Sequence, residues 1–379
     1  MTVGQRNSFD ILAEKIVPNV RYIWFHASSL GEFEQGRPLI EELKRRSPEV
    51  RVLLTFFSPS GYEVRKNYTG ADVVLYLPMD TSANARKFLS IVKPEKAVFI
   101  KYEFWANYLK ELHRKQVPTY LVSAIFRPQQ LFFKWYGGWY RSLLRLFAHL
   151  FVQDEISLKL LDSIGVTAAT VAGDTRFDRV AEIAAQAKEL PLVAAFAKGR
   201  RVLVAGSSWP LDEDILFDYF NTHPDLYLIV APHVTSESHV EEICRKLKRP
   251  YARYTQTDEA SAAKADCLII DCIGLLSSIY RYGEMAYIGG GFGVGIHNVL
   301  EAAVYGVPVI FGTNYGKFRE ACGLIDGGGG FSIADTQGYT ALMERFMQDA
   351  TYLSDCGDRA VAYVKENTGA TALIMAKLV

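Results

Sequence analysis

The sequence lacks several features that would assign a function at once. Lys and Arg number 42, as do Asp and Glu, so the net charge gives no reason to expect a nucleic-acid partner. The five cysteines include no CxxC pair, which provides no metal site and fits a reducing compartment. No apolar run reaches roughly 18 residues, so no transmembrane helix is predicted. Asp10 and Glu14 interrupt the apolar core that a signal peptide needs.

What the 379 residues do contain is a repeated alternation of short apolar strands and helices. Five strands are predicted between Tyr22 and Ser123, and the alternation restarts at Arg201. A helix is expected after each of the first four, with bounds 34–45 after the first and 104–114 after the fourth. This pattern predicts an α/β protein with parallel sheets covered by helices on both faces. We expect two Rossmann-like domains, residues 1–190 and 191–379, facing a central cleft. The last helix is free, in this prediction, to pack back on the first domain.

The stretch Ala286 to Gly312 is rich in glycine and predicts strand, loop, helix and strand. We expect Asn298 to cap a helix over 299–305, where free backbone N–H groups could bind a phosphate. Glu301, one turn in, could accept hydrogen bonds from a ribose diol. The alternative is a buried connection that needs its glycines only for packing. The stretch is not a dinucleotide fingerprint, because Ile296 stands where a third glycine is required.

Two glutamates directly follow predicted strands of the first domain, where ligands of parallel sheets bind. Glu32 is the best candidate for a general base, since the N-terminus of its helix would favour the ionised carboxylate. The alternative is a helix-start residue that caps together with Ser28 or Ser29. Glu103 has the same two interpretations. No GxSxG motif supports hydrolase chemistry, and no His, Cys and Asp cluster has the spacing of a metal site.

Three further polar residues follow later strands. Arg176 in GDTRFD could contact a phosphate or carboxylate, or instead form a salt bridge with Asp174 or Asp178. Ser207 and Ser208 in GSSWP could donate to a phosphate, or merely cap the next helix.

The segment between Leu112 and Gln153 contains no acidic residue but six Lys or Arg, and nine aromatic residues lie within Phe126–Phe151. One interpretation is a buried helix with basic ends. The other is a surface that lies on an anionic membrane, with aromatic rings at headgroup depth. Composition alone does not separate the two.

Six segments of the chain resemble, in their order, the Kdo transferases of lipid A assembly, which transfer 3-deoxy-D-manno-octulosonic acid (Kdo). They are FHASSLGEFEQGRPLI, KYEFWANYLK, SAIFR, GDTRFD, GSSWP and GIHNVLEAA with GVPVIFG. The resemblance runs from about Arg21 to the C-terminus. The order of motifs is highly specific, whereas GxxHNxxE alone would indicate only a two-domain GT-B glycosyltransferase.

The resemblance implies a GT-B fold and a metal-independent, inverting transfer of Kdo from CMP-Kdo to a lipid A precursor, lipid IV(A). It implies no cofactor besides this donor, and a place on the cytoplasmic face of the bacterial inner membrane. Glu32 matches the general base, and Glu103 and Arg176 match residues that stabilise the transition state. The expected donor-site residues are Ser207, Ser208, Pro232, His233, Ile273, Gly274, Leu275, Asn298, Val299, Leu300 and Glu301.

Three departures from the family pattern matter. Ala231-Pro232-His233 replaces Pro-Arg-His, so an arginine at the donor is missing, and Ile273-Gly274-Leu275-Leu276 replaces MGEL without its glutamate. Members often begin with a hydrophobic anchor helix, which this sequence does not show, so we expect either that membrane contact comes from elsewhere or that an N-terminal piece is missing from this sequence. The alternatives are another GT-B transferase or epimerase with a UDP donor, and a membrane-surface scaffold without turnover.

Overall fold

The computed structural model describes residues 7–378, which form two compact units. Unit 1 is residues 1–179 together with 367–379, and unit 2 is residues 180–366. The sequence placed a boundary between residues 190 and 191, whereas the chain enters unit 2 inside the helix Thr175–Ala185. The start of this helix belongs to unit 1 because the Asp178 carboxylate accepts hydrogen bonds from the backbone N–H groups of Gly369 and Thr371.

Unit 1 is built on a seven-stranded parallel sheet with the strand order β3-β2-β1-β4-β5-β6-β7. Its strands are β1 (Tyr22–Ala27), β2 (Arg51–Phe56), β3 (Val73–Tyr76), β4 (Lys96–Ile100), β5 (Thr119–Ala124), β6 (His149–Val152) and β7 (Ala169–Val171). All six residues of β1 are buried, as both faces of the sheet are covered by helices. The strand order reverses between β1 and β4, and ligands of such sheets bind beyond the carboxyl ends of the strands at this point.

Unit 2 repeats this architecture with the order β10-β11-β9-β8-β12-β13-β14, again parallel throughout. Its strands are β8 (Arg201–Ser208), β9 (Leu226–Pro232), β10 (Tyr251–Arg253), β11 (Cys267–Ile269), β12 (Met285–Ile288), β13 (Val309–Phe311) and β14 (Gly330–Ser332). The reversal here lies between β8 and β12, so the two serines that end β8 and the glycine loop after β12 share one edge.

Helices cover both faces of each sheet. Those of unit 1 are Ser8–Lys15, Leu30–Arg46, Pro59–Arg65, Ser82–Val92, Ala106–Arg114, Gly138–Leu144, Glu155–Asp162 and Ala370–Leu378, with a 3-10 turn at Leu131–Phe133. Those of unit 2 are Pro191–Ala197, Pro210–Phe220, Glu237–Lys246, Glu259–Ala262, Leu276–Ile279, Leu300–Ala303, Arg319–Asp326, Thr336–Gln348 and Ala350–Glu366, with 3-10 turns at Tyr254–Gln256 and Tyr280–Tyr282.

The helix after β1 begins earlier than the sequence suggested. We predicted a helix over 34–45, but it runs from Leu30 to Arg46, because Ser29 supplies the N-cap. Glu32 therefore lies in its first turn. The helix after β4 begins later than predicted, at Ala106 instead of Phe104.

The C-terminal helix Ala370–Leu378 packs on the sheet of unit 1. Ile374, Met375 and Leu378 lie in the same buried cluster as Phe25 and Ile100 of β1 and β4. The backbone carbonyl of Leu378 accepts a hydrogen bond from Lys96, which ties the end of the chain to the start of β4.

Candidate active site

Glu32 forms a reciprocal cap with the residues just before its helix. Its Oε2 accepts hydrogen bonds from the backbone N–H groups of Ser28 at 2.6 Å and Ser29 at 3.2 Å, while the Ser29 hydroxyl oxygen accepts from the Glu32 N–H at 3.5 Å. This arrangement satisfies backbone donors that a helix start leaves unpaired. The alternative of a helix-start residue is therefore present in the structure, and the question is whether the same carboxylate can also act as a base.

The protonation equilibrium of Glu32 is shifted in the direction opposite to the one we expected. Burial, followed by repulsion from the carboxylate of Glu103, raises the pKa of Glu32 to about 7, although the two N–H groups and Lys101 act against this. We expected the helix N-terminus to keep Glu32 ionised, which was wrong because the desolvation of a half-buried carboxylate outweighs one helix end. A pKa near neutrality suits a group that must both take up and release a proton.

Glu103 is buried and fully engaged by donors. Its Oε2 accepts hydrogen bonds from His26 Nε2 at 3.1 Å and from the indole N–H of Trp105. Burial alone would raise the pKa of Glu103, but the contacts with His26, Trp105 and Ser28 together hold it below the usual value. Glu103 is thus the ionised partner of the two, and its charge is what Glu32 responds to.

A buried chain of hydrogen bonds leads from Glu103 through His26 to Thr55 and Trp24. The Trp24 indole N–H donates to Thr55 Oγ1, and Thr55 Oγ1 lies 2.8 Å from His26 Nδ1. The backbone carbonyl oxygen of Thr55 lies 3.1 Å from the same nitrogen, so β2 holds the His26 ring while its Nε2 faces Glu103. No local sequence pattern predicts this chain, because its members come from β1 and β2.

Arg176 is oriented by an acidic neighbour. Its Nε and one terminal nitrogen donate to Asp174 Oδ2 at 3.0 and 2.7 Å, so the salt bridge considered as the alternative is present. Asp174 also accepts a hydrogen bond from Gln35, which lies one turn after Glu32 on the same helix. The cation is therefore tied to the helix that carries Glu32, and about a quarter of its side chain stays exposed, at 28%.

Non-glycine residues with left-handed backbone mark the ends of the central strands. Lys101 directly after β4 has φ +69° and Ser207 near the end of β8 has φ +53°. Such conformations cost about 1–3 kcal/mol each and concentrate at functional sites. They occur here at the reversal points of both sheets.

The glycine loop of unit 2 follows β12 and packs closely on β8. A Cβ on Gly289 would stand 2.1 Å from the backbone oxygen of Ser207, so glycine is required there. Gly290 has φ +92°, and its N–H donates to the buried carboxylate of Asp212 at 2.8 Å. This hydrogen bond to the buried Asp212 holds the glycine loop in position.

The helix behind this loop is shorter than predicted. We expected helix over 299–305, but it covers only Leu300–Ala303 and its N-cap position is Val299. Asn298 accepts from the Leu300 N–H at 3.2 Å and donates to Glu301 Oε1 at 3.1 Å. A helix of four residues has only a small macrodipole. An anion bound here would therefore depend on nearby backbone N–H groups and on the Asn298 side-chain amide.

The other donor-site residues fall at the same sheet edge with different exposures. Ser208 is buried, and its hydroxyl donates to Glu213 at 3.0 Å, which favours the structural interpretation of this serine. Val299 and Leu300 are also buried and position their neighbours. The loop Ile273-Gly274-Leu275 follows β11, and Ile273 is 85% exposed.

His233, which follows Pro232 at the end of β9, lies in an aromatic stack that the sequence did not reveal. Its ring stacks on Trp209 with centroids 4.6 Å apart and lies 4.6 Å from the ring of His297. Burial, with a smaller contribution from His233, lowers the pKa of His297. Within residues 7–378, no group of three or more His, Cys, Asp or Glu side chains is placed to hold a metal ion.

These two units define the class of protein: paired parallel Rossmann-like sheets of the GT-B type. A solved UDP-N-acetylglucosamine 2-epimerase from Neisseria meningitidis has this fold, with a TM-score of 0.64 and 16% identity over 94% of this chain and 99% of its own. At this identity the likeness concerns the fold alone. The predicted fold class is confirmed.

The sequence is similar to that of one family of transferases. Residues 4–179 match the model of 3-deoxy-D-manno-octulosonic-acid transferases. A 3-deoxy-D-manno-octulosonic acid transferase of Rickettsia typhi is 25% identical over 91% of this chain and 76% of its own length, and one of Aquifex aeolicus is 28% identical over 85% of both. The predicted resemblance is confirmed: residues 4–179 match the Kdo transferase model, the curated relatives span most of the chain, and together they indicate a glycosyltransferase.

Proposed function

We propose that this protein transfers Kdo from CMP-Kdo to a lipid A precursor such as lipid IV(A), with inversion at the transferred carbon. The observation that carries the proposal is the pair Glu32 and Glu103, which influence each other's charge at the reversal point of the sheet, inside the region that matches the Kdo transferase model. Relatives described as Kdo transferases span most of the chain and support the same activity.

In the proposed reaction Glu32 is the base. A hydroxyl oxygen of the acceptor forms a bond to the ketosidic carbon of Kdo while the bond from that carbon to the CMP phosphate breaks. The hydroxyl proton passes to the Glu32 carboxylate, and CMP leaves with the electron pair. A base with a pKa of about 7 is ionised in part at neutral pH and is strong enough to accept the proton. Such assistance is typically worth about 100- to 10,000-fold in rate.

Glu103 and Arg176 complete the proposed chemistry through their charges. The transition state carries positive, oxocarbenium-like charge on the sugar, which the ionised Glu103 would stabilise. Arg176, held in one orientation by Asp174, would contact the carboxylate of Kdo or the departing phosphate. In unit 2 we assign CMP to the glycine loop, with Glu301 accepting from the ribose and the loop Ile273–Leu275 beside it.

We further propose that the protein works on the cytoplasmic face of the bacterial inner membrane, bound through the segment Phe126–Phe151. The structure divides this segment: Phe126, Leu144 and Phe151 are buried, but Trp135 is 90% and Trp139 is 53% exposed. Exposed aromatic rings among basic residues suit the headgroup region of an anionic bilayer. No helix within residues 7–378 combines the length and the apolar character needed to cross a bilayer.

The test is incubation with CMP-Kdo and a tetraacylated lipid A precursor, followed by mass spectrometry of the lipid. The proposal expects a mass increase corresponding to Kdo with the unchanged protein and a strongly reduced yield with Glu32→Gln. In parallel, CMP should raise the melting temperature more than UDP does. A larger shift with UDP, and no Kdo on the lipid, would instead favour a UDP-dependent transferase or epimerase.

A further inference from the structure

Unit 1 contains an apolar groove that the chemistry described so far does not use. Its volume is about 600 Å³, within the range of roughly 300–1,000 Å³ that is usual for small-molecule sites. We call it the aromatic groove; its lining includes Phe104, Leu131, Phe132, Trp139, Tyr140 and Leu143. These side chains come from the end of the loop after β4, the 3-10 turn Leu131–Phe133 and the helix Gly138–Leu144.

Ring packing holds the groove in shape. Phe132 is buried, lies 4.9 Å from Phe104 between ring centroids and makes an edge contact with Tyr140 at 6.1 Å. In contrast, the rim is open to solvent, because Leu131 is 40% and Trp139 is 53% exposed. A firm apolar floor with an exposed apolar rim leaves surface that an apolar ligand would cover.

The charge around the aromatic groove indicates what kind of apolar ligand this is. The segment 112–153, which supplies most of the groove, has no Asp or Glu and six Lys or Arg. Lys110 lies 5.7 Å from the centre of the Trp139 ring, and Arg141 donates to the backbone oxygen of Trp135. The one acidic lining residue, Asp80, is occupied as a cap that accepts from the N–H groups of Asn107 and Tyr108. An apolar chain with an anionic head matches this surface.

The groove also adjoins the candidate base region through consecutive residues. Glu103 and Trp105 turn towards His26, whereas Phe104 between them turns to Phe126 and Phe132. A molecule whose sugar reaches the carboxylates can thus place an attached apolar chain along the other side of the same short segment.

We propose that the aromatic groove binds one fatty acyl chain of the glycolipid acceptor. The inference rests on the proposed function for the identity of the lipid, but not for the groove's affinity for a chain. The groove would thus be a defined subsite, distinct from general membrane association. A single acyl chain would leave the bilayer, enter the groove and help to orient the sugar. Orientation of this kind lowers the cost of bringing the hydroxyl to the base.

The test uses dodecyl phosphate below its micelle-forming concentration and measures its binding to the full chain by calorimetry. Ala106→Phe fills the groove from the first residue of its helix, where Ala106 lines the cavity. We expect it to weaken binding at least tenfold. Ile156→Gln, which removes an exposed apolar side chain that neither lines the groove nor lies in the segment Phe126–Phe151, should keep the affinity within about twofold. Inorganic phosphate alone should not bind detectably.

If Ala106→Phe lowers the melting temperature, the same measurement is made with Leu131→Gln, which makes the rim of the groove polar. In the transfer assay, Ala106→Phe should lower kcat/KM at least tenfold for the acylated acceptor and leave an acceptor stripped of its acyl chains unaffected. Equal loss in Ala106→Phe and Ile156→Gln, or unchanged binding in both groove variants, would overturn the proposal. So would a concentration-dependent dimer that the groove variants abolish. Binding without any transfer would retain the groove and reject the proposed function.

Discussion

The coupled carboxylates Glu32 and Glu103 predict a pH dependence that can be measured on stability and on rate. Glu32→Gln keeps an oxygen that accepts from the N–H groups of Ser28 and Ser29, so the helix cap persists, but it removes the titration. The pKa of Glu32 rises from its ordinary 4.5 to about 7 on folding, which makes the folded state bind more protons than the unfolded state between these values. The stability of the unchanged protein should therefore fall as pH rises through this window.

The magnitude of this change in stability follows from the shift in the pKa of Glu32. One pKa unit corresponds to about 1.4 kcal/mol, so the change from 4.5 to about 7 makes the unchanged protein lose up to about 3 kcal/mol relative to Glu32→Gln between pH 4.5 and 8. Urea unfolding of both proteins at pH 5 and pH 8 gives this difference, in which titrations common to both cancel. The same difference at both pH values would refute a raised pKa for Glu32 in the folded state.

The rate provides an independent measurement of the same coupling. If Glu32 is the base, transfer should rise with pH to half its maximum near pH 7, and Glu32→Gln should lower turnover about 100-fold or more. Glu103→Gln removes the neighbouring charge and should move the half-maximum to lower pH, whatever it does to the maximum. Glu34→Gln is the matched control, because Glu34 lies on the same helix but pairs with Arg65. An unmoved profile in Glu103→Gln would contradict the coupling.

Three further predictions test the other parts of the assignment. Glu301→Ala should weaken CMP binding by roughly 1.5–3 kcal/mol through lost charged hydrogen bonds, and unchanged affinity in calorimetry would remove CMP from this site. Changing Lys134, Arg141 and Arg145 to Glu should reduce co-sedimentation with anionic liposomes, whereas equal sedimentation would indicate that this face does not contact membranes. Thr55→Val breaks the hydrogen bond to His26 and should shift the pH profile of transfer, while a change in stability alone would make Thr55 purely structural.

The sequence predicted the fold well because its signals were local. Apolar strands that alternate with helices specify a parallel sheet, and the doubled pattern specified two of them. The predicted ends of helices were less accurate where a single side chain decides them. Because Ser29 caps the helix after β1, this helix starts at Leu30, before Glu32, and not at residue 34. The helix after the glycine loop was predicted too long, because helical spacing over 299–305 describes which residues are buried there. Only Leu300–Ala303 forms the helix.

The site was predictable in position but not in electrostatics. Glu32 and Glu103 both follow strands of one parallel sheet and therefore lie at the same edge, which can be predicted from the sequence. The pKa of Glu32 depends on how much water reaches it and on the charge state of Glu103, which in turn depends on His26, Trp105 and Thr55. These contacts join residues from different strands, so no window of sequence contains them. The helix dipole was the one contribution visible in the sequence, and it is smaller than the desolvation that the fold imposes.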